Sequence, residues 1–324
     1  MGRMENWGEI YGLINLTRLK ISDRDVLEQL TDGTLRRLTA EVVVNRGVYD
    51  RLPPWERATA RAFAVGMTMD KAVIGGQAAA RLWGLQTLGV ESTVPCYLPD
   101  GGTPKSPKLW PDGVTYRYGH LPTRDVRECH GIRVTGLIST FLDIACHENL
   151  HATVVAIDSA RARWSRITRG SLLKEIVALR RRRGIGVLRE AVELSVQNSG
   201  SAQETRARLI LEEADLPGVE TVEIQVRFDR EEGKRFYVVD FLINGWIVVE
   251  VDGLVKYRSH SPEDLRATIR AERDREKFFT NRGYRVLRIA PSHLNAVDGE
   301  ECDFLRLLRL TLLEEPPAHL RRSA

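Results

Sequence analysis

The fold is decided by Tyr237-Val-Val-Asp240-Phe-Leu-Ile-Asn244-Gly245-Trp246-Ile-Val-Val-Glu250-Val-Asp252-Gly253, where three acids interrupt two apolar runs. Asn-Gly between apolar runs is the strongest short signal for a β-hairpin turn. Because side chains alternate along a strand, Trp246, Val248, Glu250 and Asp252 are predicted to share one face. The hairpin would bring Asp240 and Glu250 onto neighbouring strands.

Acids inside apolar strands need a partner, because burying an unpaired carboxylate is costly. Magnesium and manganese ions prefer carboxylate oxygens, and two acids on adjacent strands would be close enough to share one ion. Such an ion lowers the pKa of a bound water and polarises a phosphoryl oxygen. The sequence therefore predicts Mg²⁺ or Mn²⁺ as cofactor, Asp240 and Glu250 as its ligands, and hydrolysis of a phosphodiester.

The elements on either side extend this unit. Ser201-Ala-Gln-Glu204 has the spacing of a capping box, which predicts a helix that begins at residue 202. A strongly charged helix is predicted to end at Gly283, because glycine favours the left-handed conformation of a C-cap. The order is helix, three strands, helix, strand: helix 202–214, strand 220–228, the two hairpin strands, helix 262–282 and strand 284–289.

This order resembles the PD-(D/E)XK nuclease fold, and within it the branch that contains very-short-patch-repair-like endonuclease domains. The resemblance covers roughly residues 199–295 and depends on an ordered set of short motifs. They are Ser-x-x-Glu-Thr-Arg (Ser201–Arg206), Val-Asp-Phe (Val239–Phe241), Val-Glu-Val-Asp-Gly (Val249–Gly253), Glu-Arg-Asp-Arg (Glu272–Arg275) and Gly-Tyr-Arg-Val-Leu-Arg-Ile (Gly283–Ile289).

The resemblance implies catalytic roles for five residues. Asp240 and Glu250 would be metal ligands, and Glu204 an outer ligand or orienting acid. Asp252 stands where many members carry the catalytic lysine, and Lys256 would supply the missing positive charge near the scissile phosphate. Two alternatives stay open: the acids are only a helix cap and a strand-end residue, or the nuclease fold is inactive and retained for DNA binding.

Several cations are candidates for phosphate contacts. Arg273 and Arg275 lie on the predicted charged helix, where they would also stabilise charge that develops on the phosphate. The segment Arg161–Glu190 holds ten Lys or Arg against two acids. A basic stretch of this kind tracks a nucleic-acid backbone, and a solvated helix face is the equally weighted alternative. The segment contains the tract Arg180, Arg181, Arg182 and Arg183.

The N-terminal 50 or so residues predict a small winged helix. A helix is followed by the turn Thr31-Asp-Gly33, a second short helix that begins at Thr34-Leu-Arg-Arg-Leu38, and a strand, turn and strand over Glu41–Tyr49. The same elements also build small domains with no link to DNA. In the winged-helix interpretation, the residues that meet phosphates or base edges are Arg36, Arg37 and Arg46.

This segment and the next hundred or so residues are similar to regulators of the AbiEi abortive-infection antitoxin type. The matching pieces are Arg46-Gly-Val-Tyr49, Val73-Ile-Gly-Gly-Gln-Ala-Ala-Ala80 with Leu82-Trp-Gly-Leu85, and Ile132–Thr135 through Thr140-Phe-Leu-Asp143. Many such proteins carry Ser-His where Gly75-Gly76 stands here, so a role tied to that histidine is absent. Ala78, Ala79 and Trp83 are predicted to pack the core.

Composition sets the remaining expectations. The 324 residues carry a net charge of +4 and are 43% hydrophobic, which fits two or three globular domains. The sequence has no apolar run long enough for a membrane helix, no apolar signal segment at its N-terminus, and four scattered cysteines. We therefore expect free thiols, a cytoplasmic location and no membrane partner.

Together these observations predict a multi-domain α/β protein. The domains would be a winged helix (1–52), an AbiEi-like α/β middle domain (53–160), a basic helical connector (161–198), a restriction-endonuclease-like αβββαβ domain (199–314) and a tail (315–324). The expected function is metal-dependent cleavage of DNA in defence or repair. The alternative is a DNA-binding regulator or type IV antitoxin, with a cognate toxin or defence partner. The sequence leaves the oligomeric state open.

Overall fold

The computed structural model describes residues 11–20, 23–179, 182–230, 235–252, 262–296 and 299–320. They group into two compact units, Met1–Ala160 with Arg166–Ser195 and Arg161–Ser165 with Val196–Ala324. Both units mix helices and sheets, so the predicted multi-domain α/β class is confirmed. Across the described residues, the helices all fall short of the length and apolar character needed to cross a membrane.

The helices are distributed over both units. They are α1 (Arg24–Thr31), α2 (Arg46–Arg51), α3 (Pro54–Thr68), α4 (Gly76–Leu82), α5 (Leu137–His147), α6 (Leu150–Arg163), α7 (Arg169–Ala178), α8 (Ile185–Leu194), α9 (Ala202–Ala214), α10 (Pro262–Thr280) and α11 (Asp303–Leu312).

The strands form three sheets, with orders β1-β3-β2, β6-β5-β4-β8-β7 and β12-β11-β10-β9. Their bounds are β1 (Ile14–Asn15), β2 (Leu35–Arg37), β3 (Val42–Asn45), β4 (Val73–Ile74), β5 (Val94–Tyr97), β6 (Val114–Tyr116), β7 (Val126–Cys129), β8 (Ile132–Thr135), β9 (Val222–Arg230), β10 (Arg235–Ile243), β11 (Ile247–Val251) and β12 (Arg285–Ile289).

The small N-terminal sheet differs from the winged-helix prediction in two places. The predicted second helix is strand β2, which pairs antiparallel with β3. The backbone N–H and C=O groups of the buried strand β3 need hydrogen-bond partners on each side, and this long-range pairing overrides the local helix signal. The predicted strand after β3 is helix α2, because the side chain of Asn45 caps it by accepting a hydrogen bond from Val48 N at 3.0 Å.

A hydrophobic core of the first unit packs against the five-stranded sheet. Phe63 of α3 and Leu82 of α4 pack with Ile74 of β4 and Val134 of β8. Ala78 and Ala79 are fully buried in this cluster, and Trp83 packs against it and donates from its indole nitrogen to Thr135 O at 3.0 Å. The predicted packing role of these residues is confirmed.

The second unit follows the predicted order of helix, three strands, helix and strand. α9 and α11 cover one face of its sheet, where Leu211, Val249 and Phe304 share a core. α10 covers the other face, where Phe279 packs on Val248. Because both faces of β11 are buried, its sequence is almost continuously apolar.

One side-chain prediction in this unit is wrong. Trp246 was expected on the face of Val248, but it packs in the cluster of Ile247 and Val249. It precedes β11 and lies at the end of the turn, where the alternation of an extended strand does not yet apply. Within β11 the alternation is regular, with Ile247, Val249 and Val251 on one face and Val248 on the other.

The contact grouping assigns residues 166–195 to the first unit, with a boundary between Ser195 and Val196. This boundary lies three residues before the predicted connector end at 198. The finer division into five segments remains a prediction.

Candidate functional site

The predicted hairpin positions the candidate site. Asn244 and Gly245 have φ values of 51° and 74°, the left-handed pair that a type I′ turn requires. The turn fixes an antiparallel register in which Phe241 lies opposite Val249. Extending that register by one residue places Asp240 opposite Glu250. The sequence prediction that these two acids occupy neighbouring strands is confirmed.

The sheet changes its facing pattern at Asp240. Tyr237 and Val239 pack on the α10 side, whereas Phe241 and Ile243 pack on the side of α9 and α11. A regular strand would keep these four odd-numbered residues on one face. At this irregularity, Oδ2 of Asp240 accepts a hydrogen bond from the backbone N–H of Val251 on the neighbouring strand at 2.7 Å.

The neighbouring strand changes face at the matching position. Val226 packs on the α10 side and Ile224 on the other, and Gln225 between them has a φ of 53°. A residue other than glycine in this left-handed region is strained, and such strain is concentrated at functional sites. Gln225 lies between the pairs Val239–Val226 and Phe241–Ile224, and therefore beside Asp240.

Glu204 reaches the same place from the first turn of α9. Ser201 caps the helix by accepting from Glu204 N at 3.1 Å, as the capping-box spacing predicts. The carboxylate itself accepts the N–H of Gly200 at 2.9 Å. An added Cβ at residue 200 would lie 3.0 Å from both carboxylate oxygens, so glycine permits this close approach.

Gln225 bridges the two acids. Its Nε2 donates to Glu204 Oε2 at 2.7 Å and lies 3.5 Å from Asp240 Oδ1. Burial raises the pKa of the Glu204 carboxyl, and the negative charge of Asp240 raises this pKa further. Hydrogen bonds from Ser201, Gly200 and Gln225 lower it in part. The cluster is therefore two neighbouring acids that share one neutral amide.

Glu250 has a cationic neighbour. Arg275 of α10 forms an ion pair with Glu250 Oε1 through Nη2, and the same nitrogen donates to Val238 O. The Glu250 side chain is 15% exposed and that of Arg275 is 29% exposed, so the pair is largely screened from solvent. The prediction that Arg275 contacts DNA gains no support from this inward orientation.

The remaining predicted catalytic residues lie beyond the end of β11. Asp252 is half-buried, and its backbone N–H donates to Ile289 O at 2.8 Å, which continues the parallel pairing with β12. Lys256 falls within residues 253–261, outside the described part of the chain.

A divalent cation suits some features of the cluster and not others. The donors are hard carboxylate oxygens, and the negative charge of Asp240 adds to burial in raising the pKa of Glu204. Among the described residues, however, no group of three or more His, Cys, Asp or Glu side chains has the arrangement of a metal site. Arg275 pairs with Glu250 Oε1, so an ion bound by Asp240 and Glu250 would use the other oxygen of Glu250 or displace Arg275.

The other candidate DNA contacts are dispersed. Arg36 pairs with Asp50 at 3.0 Å and Arg37 donates to Ala40 O at 2.6 Å. Arg46 is exposed at the start of α2. Arg182 and Arg183 lie between α7 and α8, and Arg180 and Arg181 are outside the described residues. Arg273 is exposed on α10.

Sequence reasoning missed Gln225 as a site residue. Its place in an apolar-polar alternation, Ile224-Gln225-Val226, reads as the solvent side of a strand. The sequence signal that could have found Gln225 was its approximate position opposite Asp240 once the two strands are paired. The left-handed conformation that aims it at both acids depends on the completed sheet.

Comparison with known proteins adds little to this geometry. No family model matches the chain, and neither does any curated protein. Among solved structures, the chain is similar to the RV2827C protein from Mycobacterium tuberculosis. The match has 13% identity and a TM-score of 0.32, and it covers 64% of this chain and 82% of that one.

Proposed function

We propose that the second unit is a metal-dependent DNA endonuclease of the PD-(D/E)XK type, and that the first unit holds the DNA through its winged-helix-like and AbiEi-like regions. The observation that supports this proposal is the placement of Asp240, which lies close to Glu204 on one side and opposite Glu250 of the neighbouring strand on the other. Gln225 bridges the first two of these acids. Clustered, half-buried acids, one of them with a raised pKa, are typical of functional sites.

Each residue of the proposed site would have its own role in hydrolysis. Asp240 and Glu250 would hold Mg²⁺ or Mn²⁺, which when bound lowers the pKa of a water and neutralises charge on the phosphate. Glu204, whose pKa is raised by burial, is suited to accept a proton from the attacking water. Gln225 would orient Glu204. Arg275 would exchange Glu250 for the scissile phosphate as its anionic partner and stabilise the charge that develops there.

The wider role follows from the same proposal. DNA is the expected partner, cleaved in the cytoplasm during defence or repair. Arg36, Arg37 and Arg46 would contact the duplex from the first unit, with the tract 180–183 as a second basic segment. Asp252 and Lys256 complete the proposed site beyond β11.

Nicking of supercoiled plasmid in Mg²⁺ or Mn²⁺ tests the activity. Asp240→Asn and Glu250→Gln keep the shape of each side chain and remove its charge, and each is expected to lower the nicking rate at least about a hundredfold. The matched control is Asp229→Asn, an acid on β9 whose side chain is 60% exposed and pairs with Arg227. If nicking persists in both site variants, the assigned site is wrong.

A second function, a DNA-binding regulator or antitoxin with an inactive nuclease fold, is favoured by one specific observation. In the structure Arg275 already neutralises Glu250, which an inactive fold would retain as a structural ion pair. This alternative predicts sequence-specific duplex binding in EDTA that is unchanged by Asp240→Asn. It also predicts no nicking by the folded wild-type protein at any divalent-ion concentration.

A further inference from the structure

The outward face of α10 carries four cations in one line. Arg266, Arg270, Arg273 and Lys277 are spaced by four, three and four residues, and all four side chains are exposed. At 3.6 residues per turn they lie within about 40° of the direction opposite Arg275, the residue that faces the sheet. The line, called the cationic stripe below, extends about 16 Å along the helix axis.

The side chains that the structure describes leave the stripe without an acidic partner. Within the described residues, none of its four members forms an ion pair, although Asp274 lies four positions after Arg270. The acids Glu272, Asp274 and Glu276 are all placed on the flanks of the helix. Like charges three and four residues apart destabilise a helix, so an uncompensated row of this kind is costly without an anionic partner.

The geometry favours a rod-like polyanion. A flat anionic surface would bring the flanking acids Asp274 and Glu276 close to its own charges, whereas a rod laid along the helix meets the stripe alone. Duplex DNA is such a rod, with one negative charge per about 1.7 Å of its axis. A compact anion would contact only one or two of the four cations.

We propose that the cationic stripe binds the phosphate backbone of duplex DNA, at a place separate from the strand that is cut. Because Arg275 points to Glu250 and the stripe points the opposite way, one straight duplex segment cannot contact both. The stripe would therefore hold a second segment of a long or bent DNA. The inference depends on the proposed function for its choice of nucleic acid, and it adds a holding surface to the cutting site.

The test is duplex binding in EDTA, measured by fluorescence anisotropy over a range of salt concentrations. Arg266→Gln, Arg270→Gln, Arg273→Gln and Lys277→Gln are combined in one full-length variant. Loss of four phosphate contacts is expected to reduce the slope of log K against log salt by about 3 to 4. A second variant with lysine at the three arginine positions is expected to keep the wild-type slope, which separates loss of charge from loss of folding.

The matched control removes the same net charge from arginines that already have acidic partners in this unit. It combines Arg227→Gln, Arg285→Gln, Arg306→Gln and Arg309→Gln. This control is expected to change the slope by less than about 1, the value that corresponds to one phosphate contact. Equal losses in both quadruple variants would mean that net charge alone matters, and the proposal would be wrong.

The remaining outcomes separate this inference from the proposed function. If the stripe variant binds duplex like wild type but no longer binds poly-glutamate, the partner is an acidic peptide and the DNA assignment fails. Plasmid nicking that needs Asp240, together with an unchanged slope in the stripe variant, rejects the stripe and leaves the nuclease intact. A reduced slope in a protein that never nicks supports the stripe and rejects the nuclease.

Discussion

Each unit holds an aspartate within a cluster of polar side chains, buried in the first unit and half-buried in the second, and the neighbours of the two aspartates differ. In the first unit Asp143 is 5% exposed and is paired with Arg117 at 2.6 Å and with the hydroxyl of Tyr97 at 2.5 Å. In the second unit Asp240 lies beside another acid, Glu204, and a neutral amide stands between them. An aspartate paired with a cation of the protein has a structural role, whereas clustered acids of which one has a raised pKa are typical of a functional site.

The surroundings of Asp143 are closely packed around that pair. A Cβ at Gly75 would lie 2.6 Å from Asp143 Oδ2 and 2.7 Å from the ring of Tyr97. Burial raises the pKa of the Tyr97 phenol, which keeps it protonated as a donor to the aspartate. Gly75 therefore serves close packing at this cluster.

The largest expected effect comes from breaking the compensated pair. Arg117→Met leaves Asp143 buried without its cation and is expected to lower the free energy of unfolding by about 3 kcal/mol or more. Urea denaturation of the full chain measures this change. The matched control is Arg36→Met, whose exposed partner Asp50 makes the expected loss about 1 kcal/mol or less. Equal losses would show that Asp143 is not held by Arg117.

An intermediate effect is expected from adding one methyl group at either cluster. Gly75→Ala forces a contact with a buried aspartate and a buried ring, and is expected to cost about 1–3 kcal/mol. Gly200→Ala meets only the end of the Glu204 side chain at 3.0 Å, which can move aside. Parallel denaturation curves should therefore rank Gly75→Ala as the more damaging change, and the reverse order would contradict the described packing.

The smallest expected effect is a gain in stability from Glu204→Gln without metal. The pKa of Glu204 is raised in the folded state, so ionisation destabilises the protein as the pH rises through that pKa. Below the ordinary carboxyl range the group is protonated in both states and the difference disappears. Melting temperatures should show the variant above wild type near pH 8 and equal to it near pH 3. A variant that is less stable at pH 8 would mean that the hydrogen bonds to the Glu204 carboxylate outweigh the effects of burial and of the Asp240 charge.

The parts of this site that depend on local sequence were predictable. Ser201 caps its helix and Asn244-Gly245 turns its hairpin because both signals act within four residues. Gln225 was missed, and the ion pair of Arg275 with Glu250 was not predicted, because both orientations depend on the completed sheet. Dependence on the completed sheet also explains why β2 is a strand and not the predicted helix, since it pairs with β3.

The most direct measurement of the central claim is titration of Mn²⁺ into the full chain, followed by the electron paramagnetic resonance signal of the free ion. The account predicts that wild type removes Mn²⁺ from solution and that Asp240→Asn does not, while Asp229→Asn binds like wild type. Equal binding by wild type and Asp240→Asn, or no binding by either, would contradict the claim that Asp240 and the neighbouring acids of the second unit bind a divalent cation.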